Sequence, residues 1–222
     1  MVSPVSPASR MKPSEKPASG PGRPKDLGKR AAILDAAKRL FARDGFVRVS
    51  MDQIAAEAGV SKLTVYSHFG DKEALFTAAV SAKCEEMLPD DLFQLELKGP
   101  LRDQLKMIAH AFFALISSDE AISTQRMMLT DNIDDNLKRV FWEAGPQRTH
   151  EAFATLLQAR VDRGELDIPD VALASEQFFT LLKGEVHSRM MCGLCQRPVR
   201  GDANTHIEAT VDMFLRAYGT RR

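Results

Sequence analysis

The hydrophobic positions of this chain recur with a helical period from residue 27 onward, and strand-like alternation is nowhere sustained. In the first predicted helix, Ile33, Leu34, Ala37, Leu40 and Phe41 stand at i, i+1, i+4, i+7 and i+8. Glycine and proline separate the later segments. The helices predicted beyond residue 70 run over 71–88, 101–117, 119–130, 133–163, 170–191 and 203–218. The sequence therefore predicts an all-α fold.

Two short helices joined by a glycine-centred turn are predicted in SMDQIAAEAGVSKLTVYSHF, residues 50–69. Ser50 and Gln53 have the spacing of a capping box, which fixes the start of the first helix. Gly59 suits the left-handed conformation that ends it, and Ser61 caps the second helix. Val65 and Phe69 then face inward, while the side chains predicted to project outward are Lys62, Thr64, Tyr66, Ser67 and His68. This arrangement is typical of a DNA-reading helix-turn-helix.

Charge is distributed unevenly along a chain whose formal net charge is zero. Residues 1–72 hold thirteen Lys and Arg against seven acidic residues, and the remaining residues hold seventeen against twenty-three. A basic module on an acidic body favours contact with DNA phosphates at one end of the molecule only. The alternative is a chance division of solvated surface charge.

A longer motif carries a family resemblance. The order G-V-S-K-x-T-x-Y-x-H-F-x-x-K-E-x-L at 59–75, preceded by Phe41, Gly45 and Phe46, resembles the TetR/AcrR family of bacterial transcriptional regulators. The segment from FWEAGP to Gly164-Glu165-Leu166 and the stretch 170–184 are similar to the AefR-like C-terminal half of that family. The resemblance implies a three-helix DNA-binding domain over 27–72 and a helical ligand-binding and dimerisation bundle over 73–222. It also implies a homodimeric repressor of a palindromic operator, released by a small, apolar or aromatic organic effector.

Residues 1–26 hold six of the eleven prolines and are predicted to form a disordered basic arm. The arm ends in Pro-Gly-Arg-Pro-Lys, which resembles the core of an AT-hook. Arg23 and Lys25 are therefore candidate minor-groove contacts. The alternative is a tail that touches nothing.

Within the helix-turn-helix, the resemblance implies specific roles for individual side chains. Tyr66 would place its hydroxyl on a phosphate, and Ser50 and Lys72 would clamp the backbone from helix amino ends. Phosphates or base edges would be met by Lys62, Thr64 and His68. Leu63 and Ser67 occupy positions that vary within the family and are assigned to base-edge readout. Packing against the first helix is the alternative role for Tyr66 and His68.

The C-terminal half offers aromatic and methionine side chains for a ligand cavity and apolar stripes for dimerisation. The candidate ligand contacts are Phe112, Met128, Trp142, Phe153 and Phe178, with plain core packing as the alternative. Gly145-Pro146 is predicted to kink or interrupt the helix beside Trp142. The candidate dimer contacts are Phe178, Leu182, Ile207, Val211, Phe214, Leu215 and Tyr218, with a self-covered monomer as the alternative.

Other functions have weaker support in the sequence. Cys192 and Cys195, near His187 and completed by Cys84 or His206, could sense a metal or an oxidant, although ordinary cysteines at a helix end are the favoured interpretation and no metal site is assigned. A helical interaction module that does not bind DNA is a further alternative. The chain lacks a phosphate-binding glycine loop and a nucleophile elbow, so neither an enzyme nor a cofactor is expected. With no membrane-length apolar window and no signal peptide, a cytoplasmic protein is expected.

Overall fold

The computed structural model describes residues 27–94, 99–195 and 200–220, and side chains of the last segment from Ala203. The predicted arm, with Arg23 and Lys25, lies outside the described residues. The described residues form helices α1 (Leu27–Asp44), α2 (Met51–Glu57), α3 (Lys62–Phe69), α4 (Lys72–Met87), α5 (Leu101–Ile116), α6 (Asp119–Met128), α7 (Asp135–Trp142), α8 (Arg148–Asp162), α9 (Val171–Met191) and α10 (Arg200–Tyr218). The predicted all-α class is confirmed.

The short helices begin at the predicted capping residues. The Ser50 side chain accepts from the amide of Gln53, whose own side chain accepts from the amide of Ser50 at 2.8 Å. Ser61 caps α3 and Asp71 caps α4 in the same manner. Gly59 ends the first of these helices with φ 66°. Because each cap satisfies amides that a helix end leaves unpaired, the local sequence alone fixes these boundaries.

Two buried cores share helix α4. Its first half contributes Leu75, Phe76 and Ala79 to a core with α1, α2 and α3, in which Phe41 and Phe76 meet edge to face at 5.3 Å. Its C-terminal end packs Cys84 and Met87, with Leu88 directly after the helix, against a second core formed with α5, α8, α9 and α10. The proposed domain boundary after residue 72 therefore falls at the start of a helix that belongs to both cores.

A single π-helical turn, Glu143–Gln147, joins α7 to α8 where the sequence predicts a kink or interruption. Pro146 cannot donate a backbone hydrogen bond, which favours the wider turn. Gly145 lies against α4, where a Cβ atom would stand 3.3 Å from Cys84 Sγ and from a Val80 methyl carbon. The glycine therefore permits α4 to approach this turn closely.

Helix α9 breaks at Gly184, whose φ of 53° and ψ of −163° are not helical. The His206 ring of α10 fills the space beside the break, with its Nε2 3.1 Å from the carbonyl oxygen of Leu182. A Cβ atom at residue 184 would lie 2.9 Å from that ring. Glycine is required there both for the positive φ and for the close approach of the histidine.

We expect Gly184→Ala to lower the free energy of unfolding by roughly 2–4 kcal/mol, because backbone strain and overpacking coincide at this position. Gly59→Ala is the matched control. Its φ is also positive, but a Cβ atom would meet nothing within 4 Å, so only the backbone cost of about 1 kcal/mol applies. Urea unfolding at equal protomer concentration compares the two variants. An equal loss in both would show that the His206 contact adds nothing.

Candidate DNA-binding surface and ligand cavity

Helix α3 presents one face to the core and the other to solvent. Val65 and Phe69 are buried, as the sequence predicts, whereas Leu63 is 79% exposed and Tyr66 41% exposed. Lys62 and Ser67 are also exposed, and Thr64 and His68 are half-buried. An apolar side chain such as Leu63 that stands almost wholly in water is available to contact a partner.

The polar side chains of this face differ in whether they already form hydrogen bonds or ion pairs within the protein. The Tyr66 hydroxyl makes no hydrogen bond with any described residue. Ser67 Oγ donates to the carbonyl of Thr64 at 2.8 Å. Lys62 Nζ lies 2.9 Å from a carboxylate oxygen of Asp52, which raises the pKa of the lysine. A base contact in which Ser67 donates therefore requires its proton to leave the Thr64 carbonyl, whereas its oxygen can still accept a hydrogen bond where it stands.

Lys72 is held inside the domain. Its Nζ donates to the carbonyl of Val49 at 2.9 Å and stands 4.3 Å from the centre of the Phe46 ring. Desolvation lowers the pKa of this lysine. The side chain thus ties the start of α4 to the segment that precedes α2, while its proposed contact with a phosphate stays a prediction.

Two further predicted DNA contacts are less available. The Ser50 side chain is already hydrogen-bonded, and part of the His68 ring is buried. Ser50 Oγ serves the capping box. His68 Nδ1 is buried and finds no hydrogen-bond partner among the described residues. Arg30 of α1, which the sequence did not single out, places its guanidinium 5.0 Å from the centre of the Phe69 ring at the end of α3.

A cavity of about 550 Å³ lies between the helix-turn-helix region and the C-terminal helices. Phe41 of α1 and Val80 of α4 form one side, and Phe112, Trp142 and Lys183 belong to the other. Its volume is in the range of small-molecule sites. Because its wall includes helices from both regions, a molecule bound there would touch both at once.

Three of the five predicted ligand contacts line this cavity: Phe112, Met128 and Trp142. Phe153 and Phe178 instead lie in the C-terminal core, where both are fully buried with ring centres 4.8 Å apart. Neither lines the cavity, because both rings pack on Phe214 of α10 instead. Helical periodicity predicts that a side chain lies on the buried face, but it does not distinguish a side chain that lines a cavity from one that is packed in the core.

The cavity wall also includes Lys183 and His150, which the sequence analysis missed. The available signal was a lysine that directly follows a mostly apolar stretch, Phe178 to Leu182. Burial, followed by the charge of Lys183, lowers the pKa of His150. The pKa of Lys183 is lowered by desolvation.

The proposed dimer contacts lie mostly within the protomer. Five of them are buried, namely Phe178, Leu182, Ile207, Val211 and Phe214, so they have little surface to offer a partner. Leu215 and Tyr218 are half-buried. The exposed large apolar side chains on the same two helices are Leu173, Leu181 and Met213. Most residues of these apolar stripes thus pack in the core of the protomer and are not exposed for dimerisation.

The cysteines and histidines proposed for metal or oxidant sensing have different surroundings in the structure. His187 Nε2 is 3.1 Å from Gln125 Oε1, and Cys84 is at the cavity wall, where burial raises the pKa of its thiol. Cys192 is exposed and Cys195 half-buried. In the part of the chain that the structure describes, no group of three or more metal-ligating side chains could hold an ion.

A helix-turn-helix with an exposed reading face, joined to a helical domain with a cavity between the two, defines a DNA-binding regulator. Comparison with known families agrees. Residues 33–79 match the family of bacterial regulatory proteins of the tetR type, and residues 103–220 match the C-terminal domain of AefR-like transcriptional repressors. The chain belongs to the TetR family of transcriptional regulators.

Individual relatives give the same result. The chain is 40% identical over 147 residues to YdeS, an uncharacterised regulator of Bacillus subtilis, a match covering 65% of this chain and 71% of that protein. Several other curated relatives are matched over between 41% and 54% of their own length. A regulator structure from Mesorhizobium loti superposes with a TM-score of 0.76 at 27% identity, covering 90% of this chain and all of the other. The flavonoid-responsive regulator FrrA superposes with a TM-score of 0.69 at 30% identity, covering 89% and 100%.

None of the helices in the ranges that the structure describes combines the length and the apolar character needed to cross a membrane.

Proposed function

We propose that this protein is a repressor that binds a palindromic operator as a homodimer and releases it when a small organic molecule fills the cavity. The observation that supports the proposal is the position of the cavity between α1 and α4 on one side and α5 to α9 on the other. A ligand that prefers one relative position of these helices shifts the population toward it. A coupling of about 1–3 kcal/mol corresponds to a roughly 5- to 150-fold loss of operator affinity.

The proposed DNA surface is the outer face of α3. Tyr66 has a free hydroxyl for a phosphate, and Leu63 has an apolar side chain for a thymine methyl group. Two copies of α3 on successive major grooves would read the two halves of a palindrome. We assign the dimer contact to the exposed side of α9 and α10, which carries Leu173, Leu181 and Met213.

The flavonoid response of one relative suggests the chemical class of the effector. FrrA, at 30% identity over nearly the whole chain, is named as flavonoid-responsive. Flavonoids are aromatic molecules, and Phe112, Phe141 and Trp142 give the present cavity aromatic walls. We therefore place the effector among small aromatic molecules.

Helix α6 is the proposed link between cavity and DNA-binding helices. On one side, Ser123 Oγ donates to the carbonyl of Ala42 in α1 at 2.7 Å. On the other side, Arg126 Nε donates to the carbonyl of Met191 at the end of α9 at 2.9 Å, and its guanidinium also contacts the Met190 carbonyl. Gln125, between them in sequence, lines the cavity. A shift of α6 would therefore be transmitted to α1.

The test begins with selection of the operator from random DNA. Operator affinity is then measured by fluorescence anisotropy at several salt concentrations, with and without aromatic ligands identified by quenching of Trp142, the only tryptophan. The proposal expects a palindromic site, steep salt dependence and a ligand-induced loss of affinity. A cavity ligand that leaves operator affinity unchanged would contradict release as the mechanism.

We expect Arg126→Met to reduce the ligand-induced loss of operator affinity to less than about 5-fold, because α9 would no longer be tied to α6 by the guanidinium. Ligand affinity and operator affinity, measured separately, should each stay near the native value. Arg139→Met is the control, since Arg139 pairs with Glu143 on the exposed surface and should leave the coupling intact. Full release in the Arg126 variant would exclude this route.

A further inference from the structure

Lys183 is the one cationic residue lining the cavity that has no partner among the described residues. The other cationic side chains of the wall all lie within 4 Å of a carboxylate: Lys38 beside Asp35 and Glu86, Arg39 beside Glu57, Lys83 beside Glu120, and Lys138 beside Asp135. Lys183 is half-buried on α9. Its ammonium has thus lost much of its water without gaining a counter-charge, which is an unfavourable arrangement unless a ligand provides one.

The carboxylates of the wall are all engaged. Asp35 and Glu86 both pair with Lys38, at 3.1 and 3.0 Å, and Glu120 pairs with Lys83 at 3.7 Å. A cationic ligand would find only carboxylates whose charge a lysine already offsets. An anionic ligand finds Lys183 already unpaired, so the wall as a whole favours negative charge.

The surroundings of Lys183 are aromatic. Lys183 and His150 both line the cavity, and the charge of the lysine contributes to lowering the pKa of the imidazole. The His150 ring lies 6.3 Å from Trp142 and 5.2 Å from Phe179, whose own ring is 4.4 Å from Phe112. His150, Trp142 and Phe112 face the cavity. Flat rings can pack against this wall while a charged group reaches the lysine.

The break in α9 fixes the position of this lysine. Lys183 immediately precedes Gly184, where the backbone leaves the helical conformation. The carbonyl of Leu182 is bound by the His206 ring at 3.1 Å. Because α9 is held at this point by α10, the backbone that carries Lys183 is a preformed part of the wall.

We propose that the effector is an aromatic organic anion whose carboxylate, sulfonate or ionised phenol pairs with the ammonium of Lys183 while its rings pack against Trp142, His150 and Phe112. This inference rests on the proposed function in taking the cavity as the effector site. It adds the sign of the ligand charge and the residue that recognises it. A charge-assisted hydrogen bond in a desolvated site is worth a roughly 10- to 100-fold preference over a neutral ligand of the same shape.

The experiment uses a matched pair of fluorescent probes, 8-anilinonaphthalene-1-sulfonate and N-phenyl-1-naphthylamine, which share their rings and differ in the sulfonate. Dissociation constants are measured for the full chain and for Lys183→Met, which keeps the apolar stem and removes the charge. We expect the native protein to bind the anion at least about 10-fold more tightly than the neutral probe. In Lys183→Met the ratio should fall to about one, with the affinity for the neutral probe retained.

Lys138→Met is the matched control, because Lys138 also lines the cavity but lies 3.8 Å from Asp135. It should preserve the preference for the anion. The proposal is overturned if the neutral probe binds native protein as tightly as the anion, if the preference survives in Lys183→Met, or if neither probe binds.

Operator release is measured separately, with the selected operator and the same two probes. If the anion binds through Lys183 and operator affinity does not change, the ligand chemistry stands and release by this cavity fails. If the neutral probe binds better and still releases the operator, the proposed function stands and the anion inference fails.

Discussion

We expect Phe153→Ala to lower the free energy of unfolding by about 3–5 kcal/mol, the largest effect of any substitution considered. Phe153 is fully buried, and its ring centre lies 4.8 Å from Phe178, 5.1 Å from Phe179 and 6.2 Å from Phe214. Truncation to alanine removes apolar contacts on several sides and leaves a void that close-packed helices cannot fill. Denaturant unfolding followed by circular dichroism measures the loss.

Trp142→Ala is the control that separates core from cavity wall. Trp142 is also aromatic, but 51% of its surface is exposed and it lines the cavity. Its loss should cost only about 1 kcal/mol of stability, because half of the ring is already in water. It should weaken binding of 8-anilinonaphthalene-1-sulfonate instead. If both variants lost similar stability, the assignment of Phe153 to the core and Trp142 to the wall would fail.

The second large effect is expected from Tyr66→Phe, which should weaken operator binding by about 2 kcal/mol, or roughly 30-fold. One hydrogen bond to a phosphate contributes about 1 kcal/mol, and the proposed homodimer contains two copies. Folding should not change, since the Tyr66 hydroxyl makes no hydrogen bond with any residue in the described ranges. Affinities for a panel of operator variants should all fall together, because phosphate contacts carry no sequence information.

Leu63→Ala and Ser67→Ala serve as the contrasting variants. Both positions are exposed on the same face of α3, and we assign them to base edges, so their substitution should change which operator variant is preferred. The assignment of roles would be reversed if Tyr66→Phe re-ranked the panel while Ser67→Ala left the order unchanged.

Local chemistry made the helix-turn-helix predictable. Ser50, Ser61 and Asp71 each satisfy free amides within three residues of their own position, and Gly59 ends a helix by its own backbone freedom. None of these effects needs a distant partner. The inward faces of Val65 and Phe69 follow from the same short-range periodicity. The sequence therefore determined the all-α class, these helix starts and the reading face of α3.

Only the tertiary structure decided which apolar side chains form the cavity, the core or the free surface. Phe112 and Phe153 are alike in type and helical setting, but one lines the cavity and the other is packed on all sides. Lys38, unlike Lys183, is paired with two carboxylates: Asp35 on its own helix and Glu86, which α4 brings to it. The Gly184 break becomes intelligible only with His206 beside it. These properties depend on contacts between residues far apart in the chain, and periodicity along one helix carries no information about which neighbour it will meet.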